Sequence, residues 1–135
     1  MDRTRTFSGA PWEAQVGYCR ALRAGHLIYV TGTAPIDEAG RVHAPGDAYR
    51  QARRCFEIIG RHLEELGSSL ADVTRTRMFV TDITRWAEFA RAHQECFAQH
   101  PPATTMVEVS RLIDPEMLIE IEADAVCAGG DEQRA

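Results

Sequence analysis

The sequence predicts an α+β fold in which a single sheet carries two helices on one of its faces. Three observations predict it. Two stretches place apolar residues at three- and four-residue steps, the period of a helix packed along one side. Other stretches are rich in β-branched residues or alternate apolar with polar side chains, as half-buried strands do. The two kinds follow one another as strand, strand, helix, strand, helix, strand, strand, with no linker, repeat or low-complexity block between them.

The first dozen residues and the tail from Gly129 to Ala135 are polar or glycine-rich and are expected to fray. Val16 to Ala24 alternates in type and meets Gly25. His26-Leu-Ile-Tyr-Val-Thr-Gly32 follows, so the pair reads as a hairpin turning near Ala24-Gly25. Asp37 to Gly40 is a second turn signal. From Gly46-Asp47 to Leu66 the period turns helical: Ala48, Ala52, Cys55, Ile59, Leu63 and Leu66 make one stripe. Asp47 suits the N-cap, where its carboxylate accepts from a free backbone N–H, and Gly67 suits the position just past the end. Val73 to Asp82 is strand-like. Thr84 is then expected to cap a second helix whose stripe is Trp86 or Ala87, Phe89 or Ala90, His93 and Phe97, with Trp86 a packing residue; Pro101-Pro102 ends it. Thr104 to Leu112 and Leu118 to Cys127 are two more strands, joined through Asp114-Pro115.

The sheet's two faces differ. In the last strand Ile119, Ile121, Ala123 and Ala125 point one way, and Glu120, Glu122 and Asp124 the other. In the middle strand Thr76, Met78 and Val80 alternate with Arg75, Arg77 and Phe79, and in the next Val107 and Val109 alternate with Met106, Glu108 and Ser110. The helices cover the apolar side. The other side mixes acids and arginines with Phe79, Met106 and Leu118. That mixture suits a surface covered by another subunit, where carboxylates and guanidiniums pair.

Composition narrows the function. All fifteen basic residues are arginine, which removes mechanisms needing a lysine Schiff base. A net charge of −5 with scattered arginines argues against nucleic acid as a partner, because such binding runs on phosphate neutralisation by a basic surface. The cysteines Cys19, Cys55, Cys96 and Cys127 form no C-x-x-C pair or local Cys/His cluster. They read as reduced thiols, and no metal or cofactor is expected. Neither a membrane span nor an export signal is visible, so the expected location is the cytoplasm.

An ordered set of segments resembles the RidA/YjgF family. They are Gly17-Tyr18, Leu27-Ile-Tyr-Val-Thr-Gly-Thr33, Gly46-Asp47 with Gln51, Leu66-Gly67, Val73-Thr-Arg-Thr-Arg-Met-Phe-Val-Thr-Asp82, Phe97, Pro102-Ala-Thr-Thr-Met-Val-Glu-Val109 and Leu118-Ile-Glu-Ile-Glu-Ala123. The resemblance implies one domain over residues 1–135 with a core at roughly 12–127. It also implies a chorismate-mutase-like fold and a homotrimer whose sheets form a central barrel, with small-molecule clefts at the subunit boundaries. The activity it implies is hydrolysis of reactive enamine and imine intermediates, released by pyridoxal-phosphate enzymes, to a keto acid and ammonia.

In the deaminating members that this chain resembles, an arginine in a Pro-Ala-Arg-Ser/Thr motif clamps the substrate carboxylate. Here the segment is Pro102-Ala103-Thr104-Thr105, so a neutral hydroxyl stands where a charged fork would be. By analogy with breaking a buried charge pair, that change costs ~2–4 kcal/mol of carboxylate binding. It argues against the usual 2-imino acid reaction. Thr33 and Ala90 stand where the family often has Gln and Asn. By resemblance, Glu120 would orient or activate the attacking water, while Tyr18 and the Thr31-Gly32-Thr33 turn line the cleft. Each has a plainer reading, Glu120 as a structural acid and Tyr18 as interface packing. Arg77, Arg75 or Arg20 could meet a ligand anion instead, or pair with Glu108, Glu120 or Glu122. His93 is either a hydrogen-bonded core histidine or a proton-transfer group in the cleft.

Three functions therefore stand: a hydrolase of enamine- or imine-type metabolites lacking the usual carboxylate, a ligand-binding trimer without chemistry, and, remotely, a ribonuclease or translation inhibitor.

Overall fold

A computed structural model describes residues 2–128; the tail expected to fray lies outside the described residues. The strands are β1 (Arg3–Thr6), β2 (Ala21–Ala24), β3 (Leu27–Thr33), β4 (Val73–Val80), β5 (Ala103–Glu108) and β6 (Ile119–Val126). The helices are α1 (Pro11–Val16), α2 (Ala48–Glu65) and α3 (Trp86–Phe97). All six strands form one sheet in the order β1-β2-β3-β6-β4-β5. Neighbours are antiparallel except β4 and β5, which run parallel because α3 crosses over between them.

The two long helices lie on one face, as the periodicity requires. Phe56, Ile59 and Leu63 of α2 and Phe89 and Phe97 of α3 bury against Ile28, Val30, Met78, Val80, Ile119 and Ile121 of the sheet. Asp47 caps α2 by accepting the Arg50 N–H, and Gly67 follows its end at φ +80°, a conformation that disfavours a side chain. The hairpin turn falls at Gly25-His26.

Four expectations are corrected. The chain start does not fray: Arg3–Thr6 pairs with β2, and the buried Thr6 hydroxyl meets His62 Nδ1 of α2 at 2.8 Å. Val16 ends a short helix rather than opening a strand, because Pro11 starts a turn of α-helix that Gly17 terminates at φ +91°. The second helix is led in by Asp82, not capped by Thr84; Asp82 accepts from both the backbone and the hydroxyl of Thr84. Trp86 then begins α3 at 57% exposure and packs no core.

The fourth correction concerns β5, which is shorter than expected and faces the other way. Its parallel register sets Thr104 beside Thr76, Met106 beside Met78 and Glu108 beside Val80. Met106 therefore packs against the core, while Val107 joins Phe79 on the polar side. Leu118 also packs against the core. Among the described residues Glu108 pairs with no arginine; it accepts the Ile83 N–H ahead of α3.

Candidate functional site

The site residues of β3 are placed by a break in pairing. The register of β3 against β6 shifts between Val30 and Thr33, so Thr31-Gly32 is a bulge inside a strand rather than a turn. The bulge is held by Thr31, whose N–H and hydroxyl donate to the carbonyls of Arg20 and Cys19. Thr33, expected to line a cleft, is 1% exposed and donates back to the Thr31 carbonyl.

Glu120 lies across from this bulge on the polar face of β6, opposite Phe79. A Cβ at Gly32 would stand 2.7 Å from Glu120 Oε2, so the carboxyl rests directly on the glycine backbone. Among the described residues no group donates a hydrogen bond to it or pairs with it within salt-bridge distance. Burial pushes the Glu120 carboxyl above its ordinary value of 4.5; Arg20 draws it back down, and Glu122 adds a smaller upward push. The group is thus positioned by packing against Gly32.

Arg20 is the cation beside it. Its Nη2 donates to the Gly32 carbonyl at 2.9 Å, and its guanidinium lies 5.5 Å from the Tyr18 ring centre. Its Nε is buried without a hydrogen-bond partner among the described residues and lies 3.8 Å from Glu13, whose carboxylate is already held by Ser8. Tyr18 and Thr31 line a hollow of about 450 Å³ with Phe7, Cys19, Leu22 and Tyr29. None of the other expected site residues lines it. A larger groove of about 740 Å³ runs between α2 and the 37–43 loop, but it holds none of them. Its Arg53 and Arg54 are engaged with Glu95 and Glu57.

The remaining expected residues lie elsewhere. Thr104 is exposed on the edge strand β5, and its hydroxyl meets Thr76 Oγ1 at 2.7 Å. Thr76 meets His93 Nε2 at 2.8 Å, and the His93 ring packs on Phe56 and Phe97. Burial alone lowers the His93 pKa, which favours the neutral imidazole. Arg77 is bound up with Glu122 at 3.6 Å and Asp124 at 3.4 Å, and Arg75 is exposed. Within one chain, Glu120 and Thr104 project from opposite faces of the sheet, because Glu120 stands opposite Phe79 whereas Thr104 stands beside the core-facing Thr76.

The polar face also carries exposed apolar side chains. Leu27, Tyr29, Val107 and Val126 are each more than two-fifths exposed there, and Phe7, Trp12 and Val16 are exposed at the chain start. No helix among the described residues is long and apolar enough to cross a membrane.

Comparison with known proteins places these features in a family. The Endoribonuclease L-PSP family model matches residues 8–127. A RutC family protein of Pyrococcus abyssi is 39% identical over 109 residues, covering 80% of this chain and 84% of that one. A protein of Acinetobacter baylyi named 3-aminoacrylate deaminase RutC is 38% identical over 111 residues, covering 80% and 85%. Among solved structures, a YjgF/YER057c/UK114 family member from Mycobacterium tuberculosis superposes with a TM-score of 0.85 at 43% identity, covering 93% of this chain and 100% of that one. The Escherichia coli YjgF product gives 0.78 at 32% identity, covering 91% and 97%.

Proposed function

The chain belongs to the Endoribonuclease L-PSP family, the RidA/YjgF group with its chorismate-mutase-like fold, and on that premise we propose that it hydrolyses reactive enamines or imines in clefts shared between subunits of a homotrimer. The observation that carries the proposal is Glu120: a half-buried carboxyl, raised in pKa, set against Gly32 and left without a partner among the described residues. Such a group accepts and returns protons near neutrality better than an exposed carboxylate does. The relative named for 3-aminoacrylate deamination acts, by that name, on an enamine.

The reaction balances as follows. An enamine first takes a proton on carbon to become the iminium. Water adds its oxygen to the iminium carbon while Glu120 takes one water proton, and that proton passes to the nitrogen. The new hydroxyl then gives its proton to Glu120 as the C–O double bond forms and the C–N bond breaks. Ammonia leaves, a carbonyl compound remains, and Glu120 returns to solvent the equivalent of the proton taken up on carbon. Arg20 draws the Glu120 carboxyl back toward its ionised form, the form that takes the water proton. No metal or cofactor enters.

The trimer is supported by the exposed apolar side chains on the polar sheet face and by the outer edges of β1 and β5, which pair with no strand among the described residues. A cleft containing both Glu120 and Thr104 needs two copies, since one chain sets them on opposite faces. Thr104 in place of a carboxylate-clamping arginine favours a substrate without that carboxylate. The same residue favours the second reading, a cleft that binds without catalysis.

Ammonia release from imines made in situ by amine and amino-acid oxidases decides between them, run on the native protein and on Thr104→Arg. Hydrolysis of non-carboxylate imines by the native protein supports the proposal. If Thr104→Arg alone acts, and on 2-imino acids, the machinery is present and the substrate class is as argued. If neither accelerates release, the binding reading replaces it.

A further inference from the structure

One half-buried titratable group is left unused by that chemistry. His93 sits between the Phe56 and Phe97 rings, with its edge reaching Thr76, which is 0% exposed. Thr76 in turn reaches Thr104, which is exposed on the edge strand. A half-buried imidazole is therefore linked to the exposed Thr104 by two hydroxyls in series, at 2.8 and 2.7 Å.

Each hydroxyl has one proton to donate, so the chain has only two proton orders. With Thr76 donating to Thr104, Thr76 has only lone pairs left for the ring. His93 Nε2 must then carry the ring proton, and the Thr104 O–H is left to donate outward. In the reverse order Thr104 donates inward and offers only an acceptor. The ring sets the order: among the described residues His93 has a hydrogen-bond partner at Nε2 and none at Nδ1. A proton on Nε2 therefore gives the ring N–H an acceptor in Thr76, whereas a proton on Nδ1 would have none among those residues.

We infer that His93, acting through Thr76, is a positioning residue that fixes Thr104 as an outward hydrogen-bond donor, and that the ligand group it takes is a neutral carbonyl or amide oxygen. A neutral acceptor needs only the single donor that Thr104 provides. A carboxylate at the same place needs a cation to offset its loss of water, and β5 supplies none. The inference rests on the interfacial-cleft reading for where Thr104 meets its ligand; the proton order itself does not.

The test uses the native trimer with pyruvamide and pyruvate as probes, a neutral and an anionic ligand of nearly the same shape. Nitrogen NMR of His93 reads which ring atom holds the proton. Titration gives the preference for pyruvamide over pyruvate in native protein, Thr104→Val, Thr76→Val and Thr76→Ser. The expected result is a ring protonated at Nε2 and a preference for pyruvamide. That preference falls roughly two- to tenfold in both valine variants, the worth of one neutral hydrogen bond, and survives in Thr76→Ser. Thr104 is exposed, so its valine variant is expected to fold even if Thr76→Val does not. A ring protonated at Nδ1 overturns the inference. So does an unchanged preference in Thr104→Val, or native protein that does not bind pyruvamide. If no imine is hydrolysed yet the preference follows Thr104, the hydrolase reading falls and this one stands.

Discussion

Replacing Gly32 with alanine isolates the position of the Glu120 carboxyl from the stability of the fold. The new Cβ would meet Glu120 Oε2 at 2.7 Å, closer than a side-chain carbon tolerates, and Cδ at 3.2 Å, tighter than ordinary contact. Gly32 is not among the glycines with positive φ, so alanine fits the backbone there. The clash is with the end of a flexible side chain, which can retreat by about half an ångström or more to reach ordinary contact. On stability the two effects oppose: alanine restricts the unfolded chain, worth about 0.4–1 kcal/mol, while the displaced carboxyl loses part of its packing. The melting temperature should therefore change by only a few degrees. Activity should not be spared, because displacing a reacting group by about 1 Å can cost on the order of a hundredfold. Thermal melting and steady-state ammonia release, measured on the same preparation, give both numbers. A folded Gly32→Ala protein with native turnover would refute the claim that this carboxyl must rest on the Gly32 backbone.

Three further outcomes follow from the geometry. Arg20→Gln removes the charge that favours ionised Glu120, so the acid limb of the kcat/KM profile should move to higher pH; an unmoved limb means that another group sets it. His62 and His93 are both held below their ordinary value of 6.5, chiefly by burial. The unfolded chain therefore takes up protons first as pH falls through 6.5, and stability should drop from about pH 7.5 downward until the folded-state imidazoles protonate as well. Urea midpoints in a Glu120→Gln background check this, since the raised Glu120 works in the opposite direction; a flat profile refutes it. Tyr29→Glu places a charge on the polar face at a side chain now 46% exposed. Light scattering should show a native species at three times the 15.0 kDa chain mass and a variant at that mass, with hydrolysis lost. A Tyr29→Glu protein that stays trimeric removes this face from the interface.

Periodicity made most of the scaffold legible. The α2 stripe from Ala48 to Leu66 and the alternation of β6 carry their faces in every second to fourth residue. It failed where an element was too short or too polar to show a period. Arg3-Thr-Arg-Thr is a strand only because β2 offers an edge to pair with, and α1 has six residues. On β5 the two valines suggested the wrong face, because an edge strand with little cover leaves Val107 exposed and tolerates Glu108 as a cap.

The site was legible as residue types but not as contacts. Glu120, Tyr18 and Gly32 came through resemblance, yet the resting of the Glu120 carboxyl on Gly32 depends on a bulge that no spacing announces. Arg20 was one candidate cation among three, and only the fold brings it to Gly32 and Tyr18. Thr76 was missed as a polar link, since a strand threonine facing a core looks like any β-branched residue. The nearby His93 on the opposing helix was the one available signal.

The most direct test of the central claim compares ammonia release by the native protein and by Glu120→Gln, from the same set of oxidase-generated non-carboxylate imines. Gln keeps the shape and the contact with Gly32 but cannot take the water proton. The account predicts measurable acceleration by the native protein and a loss of about 10²–10⁴-fold in the variant, the usual worth of a general base. Equal rates in the two proteins, or no acceleration by either, would contradict it.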